Sequence, residues 1–84
     1  MPKAPRDISG RQLSQLLSKY GYNITRQTGS HIRLVTTGRG FEHKITIPDH
    51  QPIKIGTLNN IMADIADYLQ ISKQELLKQL FGSD

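Results

Sequence analysis

Arg26-Gln27-Thr28-Gly29-Ser30-His31-Ile32-Arg33-Leu34-Val35-Thr36 passes through a glycine turn and then alternates polar and apolar side chains, the pattern of a strand leaving a tight hairpin. Successive side chains of a strand point to opposite faces, so Ile32 and Leu34 share one side while His31, Arg33 and Val35 share the other. The same pattern gives strands over Tyr22 to Gln27, Ser30 to Thr36 and Glu42 to Pro48, with Thr28-Gly29 and Thr37-Gly38-Arg39-Gly40 as the turns. Connections this short force antiparallel neighbours. Ile45 and Ile47 oppose Lys44 and Thr46, so one face of the sheet is apolar and requires a helical cover.

The cover is written on both sides of the strands. Ser9 has the character of a helix cap, Gln12 stands three residues on to return its bond, and Ile8 with Leu13 forms the flanking hydrophobic staple. Leu13, Leu16, Leu17 and Tyr20 then follow on one helical stripe and Gly21 supplies the stop, predicting a helix from about Gly10 to Tyr20. Beyond the proline-bounded loop Pro48-Asp49-His50-Gln51-Pro52, Thr57 is the expected cap of a second helix whose apolar side is Leu58, Ile61, Met62, Ile65 and Leu69. A third helix is expected from Ser72, with Glu75 completing a capping box and Leu76, Leu77, Leu80 and Phe81 as its apolar edge. Helix, three antiparallel strands, then helices packed on one face make a two-layer α+β domain, the arrangement of double-stranded-RNA-binding domains.

With 84 residues the chain has room for one domain over 1–84 and a modest core. The first seven residues carry no structural signal and are expected to fray. No apolar run approaches the length of a membrane span and no signal-peptide core follows the basic start, which points to the cytoplasm. Cysteine is absent, so a disulfide frame, a thiol nucleophile and a Cys-ligated zinc are excluded. The net charge of +4 is unevenly distributed. Up to Gly56 nine Lys and Arg face three acidic residues, giving +6, whereas beyond it two face four, giving −2. A polyanion is drawn to the first part through counterion release, and the last part is neutral to repulsive.

Several of these segments occur together in a known arrangement. Ser9-Gly10-Arg11-Gln12-Leu13, Leu16-Leu17, Tyr20-Gly21-Tyr22 and Arg26-Gln27-Thr28-Gly29-Ser30-His31, followed by Ile47-Pro48-Asp49-His50 and Gly56-Thr57-Leu58-Asn59-Asn60-Ile61, resemble the HicA toxin family of mRNA interferases over roughly residues 5 to 62. The resemblance implies a fold like the double-stranded-RNA-binding domain and a ribonuclease that cuts mRNA without a metal or other cofactor. It also implies a HicB-type antitoxin as partner, and it places the family's required histidine on His31. Two departures stand out. The stretch from Leu58 to Ser72 is about one helical turn longer than in typical members, and Leu69-Gln70 replaces the usual small residue and glycine before the last helix.

Metal-free RNA cleavage requires a 2′-hydroxyl to be deprotonated, a proton to reach the leaving 5′-oxygen, and positive charge around the phosphoryl oxygens. Imidazole suits the proton work because its unperturbed pKa of about 6.5 keeps both forms populated near neutrality. His31 is the catalytic candidate. Arg26, Arg33, Lys44 and Lys54 are candidates for binding RNA, with the amides of Gly29 and Ser30 as further donors and His50 as a possible second proton-transfer group. A turn histidine serving structure alone is the blander account of His31, and a surface loop residue that of His50. His43 shares the parity of Ile45 and Ile47, which makes it a partly buried strand-end residue. Separations of 12 and 7 residues among the three histidines match no compact metal motif. Tyr22 and Phe41 are candidate base-stacking platforms, while Tyr20 and Phe81 are assigned to the core. Asp64 and Asp67 make the second helix unsuited to duplex phosphates, which favours a single-stranded substrate. The same residues also fit a non-catalytic RNA-binding module or a basic domain that docks an acidic protein.

Overall fold

A computed structural model of the protein describes residues 5–82. The elements run α1 (Gly10–Leu17), a 3₁₀ turn (Ser18–Tyr20), β1 (Asn23–Thr28), β2 (His31–Thr36), β3 (His43–Pro48), α2 (Ile55–Leu69) and α3 (Lys73–Phe81). The sheet is antiparallel in the order β1-β2-β3. This is the expected α+β arrangement, and the comparison with the double-stranded-RNA-binding domain holds. Of the seven residues expected to fray, 1–4 lie outside the described residues, and Pro5, Arg6 and Asp7 belong to no helix or strand. Ile8, just beyond, is already buried.

Alternation in β2 and β3 builds the core. Ile32 and Leu34 of β2 and Ile45 and Ile47 of β3 face Leu13 and Leu17 of α1 and Leu58, Met62 and Ile65 of α2 in one cluster. Leu76, Leu77 and Leu80 of α3 extend that cluster, and α3 packs on α2. The cover does not reach β1, which is exposed along its whole length. A bulge between Ile24 and Arg26 shifts its pairing with β2.

Helix ends follow the local chemistry with three corrections. The Ser9/Gln12 box forms in both directions, at 3.1 Å from the Gln12 amide to Ser9 Oγ and 2.9 Å from the Ser9 amide to Gln12 Oε1. The last turn before Gly21 tightens to 3₁₀, so the α-helical part ends at Leu17; Gly21 closes it at φ 84°. Thr57 is not a cap. Lys54 occupies that position, without a side-chain bond, because α2 already begins at Ile55. Ser72 accepts the Glu75 amide as expected, but the Glu75 carboxylate accepts from Gln79 Nε2, so the box forms in one direction only.

One close approach fixes α1 on the sheet. The Gly10 amide donates to the His50 carbonyl at 3.0 Å, and a Cβ on Gly10 would run into the Pro48 carbonyl oxygen. Pro48 is the cross-strand partner of His31, so this seam braces the end of the sheet that carries the candidate histidine. Gly10→Ala is expected to lower stability by about 1–3 kcal/mol through overpacking, read as a lower denaturation midpoint with an unchanged slope. At the far end of α2, Gln70 takes the left-handed conformation at φ 63°, its side chain donating to the Asp67 carbonyl at 3.0 Å. An L-residue there is strained by roughly 1–2 kcal/mol, partly offset by the chain entropy a glycine loses on folding. Gln70→Gly is therefore expected to stabilise the fold by about 0.5–1 kcal/mol, seen as a melting temperature raised by a few degrees.

Candidate functional site

The hairpin joining β1 to β2 has two central residues, Gly29 and Ser30, with glycine first at φ 54°. Its flanks Thr28 and His31 are direct partners, and two residues further along Arg26 pairs with Arg33. Across to β3, His31 pairs with Pro48, Arg33 with Thr46 and Val35 with Lys44. The open face of the sheet thus presents successive rows: Thr28-His31-Pro48, then Arg26-Arg33-Thr46, then Val35-Lys44. Arg26, Thr28, His31, Arg33 and Thr46 line a recess of about 300 Å³.

His31 is exposed at the rim of this recess, and among the described residues its ring makes no hydrogen bond. It is free to engage a ligand. Arg26 and Arg33 likewise form no ion pair among the described residues, so both guanidinium groups keep their full fields. The turn is held from below. The Asp49 amide donates to the Ser30 carbonyl at 2.7 Å, while the Asp49 carboxylate accepts from Gln27 Nε2 at 3.2 Å and faces Arg11 Nε at 3.6 Å.

The remaining expected site residues are not gathered into the recess. Lys44 shares the open face, but its ammonium stands 3.7 Å from the Glu42 carboxylate, and it lines a neighbouring groove of about 320 Å³ with Thr57, Asn60 and Asp64. Thr46 lines both spaces and joins them. Lys54 is exposed at the start of α2 and His50 is exposed in the loop after β3; neither lines the recess. Thr28 and Thr46 belong to the recess and were not singled out from sequence, although parity with His31 and Lys44 would have marked them.

Tyr22 is not a stacking platform. It is 1% exposed, and its hydroxyl is hydrogen-bonded with His43 Nδ1 at 2.6 Å. The other ring nitrogen of His43, Nε2, faces Asp64 Oδ1 at 3.3 Å, and the imidazole stacks on Tyr68 at 4.6 Å. Tyr68 in turn donates to the Phe41 carbonyl at 2.6 Å and accepts from the Arg39 amide at 2.9 Å. His43 is a partly buried strand-end residue as expected, yet it is the most elaborately held histidine of the three. Phe41 remains 59% exposed and is the surviving aromatic candidate. Tyr20 and Phe81 pack partly buried against the core rather than inside it.

The structure is a small α+β domain with an apolar sheet face under helices and an open face carrying a histidine and two arginines that form no ion pair among the described residues. The family profile described as "HicA toxin of bacterial toxin-antitoxin" matches residues 10–66, and the chain belongs to that family. Its class is therefore the toxin of a toxin–antitoxin pair, whose counterpart is an antitoxin. The match ends inside α2 and leaves α3 outside it. No curated protein and no solved structure matches the chain. Among the described residues no helix is long and apolar enough to cross a membrane.

Burial pushes the Tyr22 phenol well above its ordinary ionisation range, reinforced by the neighbouring Tyr68 and Asp64, and burial with the nearby Glu75 raises that of Tyr20. A group whose pKa rises on folding stabilises the native state fully below its unfolded value, and that contribution is lost as the pH climbs toward the folded one. Stability is accordingly expected to fall as the pH rises above about 10. Urea unfolding at successive alkaline pH values checks this, and Tyr22→Phe should flatten the slope.

Proposed function

We propose that the protein is a metal-independent endoribonuclease that cleaves single-stranded mRNA in the cytoplasm, with His31 as the proton-transfer residue and a HicB-type antitoxin as its restraint. The observation that carries this reading is the position of His31: an unengaged imidazole at the rim of a recess walled by Arg26 and Arg33, in a chain of a toxin family. In the reaction the imidazole accepts the proton of a ribose 2′-hydroxyl. The oxygen attacks the adjacent phosphorus, and the bond from phosphorus to the 5′-oxygen breaks. The leaving oxygen takes a proton, giving a 2′,3′-cyclic phosphate and a 5′-hydroxyl end. The amides of Gly29 and Ser30 in the exposed turn are donors for the charge that develops on the scissile phosphate, and Arg26 and Arg33 supply a positive field along the substrate chain. His50 is the candidate for the second proton transfer, within reach only of a substrate that extends over the β3 loop. Lys44 and Lys54 add attraction beyond the recess.

A single strand is favoured because the residues available for contact lie on a sheet face rather than on a helix. The exposed side of α2 presents Asp67, and Asp64 is engaged with His43. Purified protein incubated with single-stranded RNA in the presence of a chelator should yield cyclic-phosphate ends. His31→Ala is expected to slow cleavage by about 10²–10⁴-fold, the usual contribution of general acid–base assistance, with an unchanged circular dichroism spectrum. A folded His31→Ala variant cutting at the parental rate overturns the assignment, and His50→Ala tests the second role in the same assay.

A further inference from the structure

We propose that Arg26 and Arg33 form a clamp for a second phosphate, next to the scissile one, so that the substrate is an RNA segment carrying at least two consecutive phosphates across the sheet. This rests on the ribonuclease reading above and specifies what the enzyme must grip. Arg26 and Arg33 are direct cross-strand partners, both exposed, and among the described residues no carboxylate neutralises either. Like charges placed opposite each other on a sheet repel. An anion between them removes the repulsion, and two guanidinium forks supply the paired donors that a phosphate accepts. Thr46, the partner of Arg33 on the other side, adds a hydroxyl to the same row.

Register separates this row from His31. His31 and Arg33 are two residues apart on β2, about 6.6 Å at the ~3.3 Å rise of a strand. Successive phosphates of an unstacked ribose-phosphate chain span a similar distance, so a phosphate at the arginine row delivers its neighbour to the histidine row. Thr28 flanks His31 there. The recess that contains both rows, about 300 Å³, is large enough for a nucleotide unit.

Cleavage sites mapped on a long RNA define matched short substrates: a dinucleoside monophosphate and the same unit bearing one additional phosphate on its 5′ or its 3′ side. One of the two extended substrates should be cut about tenfold to hundredfold faster than the bare unit, the range for a hydrogen-bonded charge contact. Arg26→Gln and Arg33→Gln should slow cleavage of the extended substrate about tenfold to hundredfold more than cleavage of the bare unit, and both should melt no lower than the parent. Equal losses on bare and extended substrates would place the arginines on the scissile phosphate, and no loss on either would remove them from the site; both results overturn the clamp. Binding of uncleavable 2′-O-methyl versions, followed by fluorescence anisotropy, separates the two readings. If the protein cuts no RNA yet binds the extended oligonucleotide more tightly in an arginine-dependent way, the clamp stands and the ribonuclease assignment falls.

Discussion

Strand β2 lies in the middle of the sheet, and its alternation commits every other residue to the core. Ile32 and Leu34 are essentially inaccessible. Slipping the strand by one residue would expose both, at about 1.5–3 kcal/mol each, and would drive Arg33 and an imidazole into the apolar layer. Register is therefore fixed by the core, and the outward positions of His31 and Arg33 follow from it without any dedicated interaction. The open face keeps its cations exposed because the covered face has no alternative arrangement.

The two ends of the sheet are held by different means. At the turn between β1 and β2, backbone contacts do most of the holding, through the Gly10 seam and the Asp49 amide on the Ser30 carbonyl, with the Asp49 carboxylate engaging the Gln27 and Arg11 side chains beside them. The neighbouring His31 ring is left unencumbered while its backbone is fixed, the condition a proton-transfer group needs. At the opposite end the holding is done by side chains. Tyr22, His43, Asp64 and Tyr68 bring β1, β3 and α2 together through hydrogen bonds and ring stacking. This second cluster consumes a histidine and a carboxylate in structural work, and it holds Asp64 at the groove beside Lys44.

Features carried by local chemistry were legible in the sequence. The Ser9/Gln12 box, the glycine stop, the three strands and the face shared by His31 and Arg33 all depend on residues within a few positions of one another. What was missed depends on partners distant along the chain. Thr57 has the chemistry of a cap, but Ile55 and Gly56 are already helical and Thr57 lies inside the first turn. Tyr22 looks like an exposed aromatic at a strand start until His43, far along the chain, supplies the partner that lets its hydroxyl be buried. His43 itself carries no local signal, since Asp64 and Tyr68 reach it from α2. Lys44 and Lys54 count equally with Arg26 and Arg33 in a charge tally, and only the register and the proximity of Glu42 distinguish them.

The asymmetry of charge then acquires a spatial meaning. The first part of the chain supplies the sheet and its cations, and the acidic residues of the last part fall on helices. Asp49, the carboxylate closest in sequence to the site, is turned toward Arg11 and Gln27 rather than toward the open face. Mixed charges on one surface would cancel one another, whereas this segregation leaves the arginine row a net positive field within the Debye length of about 8 Å. The repulsion between Arg26 and Arg33 is a small stability penalty, a few tenths to about 1 kcal/mol on the scale of cross-strand pairs. A domain of this size tolerates such a penalty, and under the proposed clamp it is relieved when a phosphate sits between the two guanidinium groups beside the unencumbered imidazole.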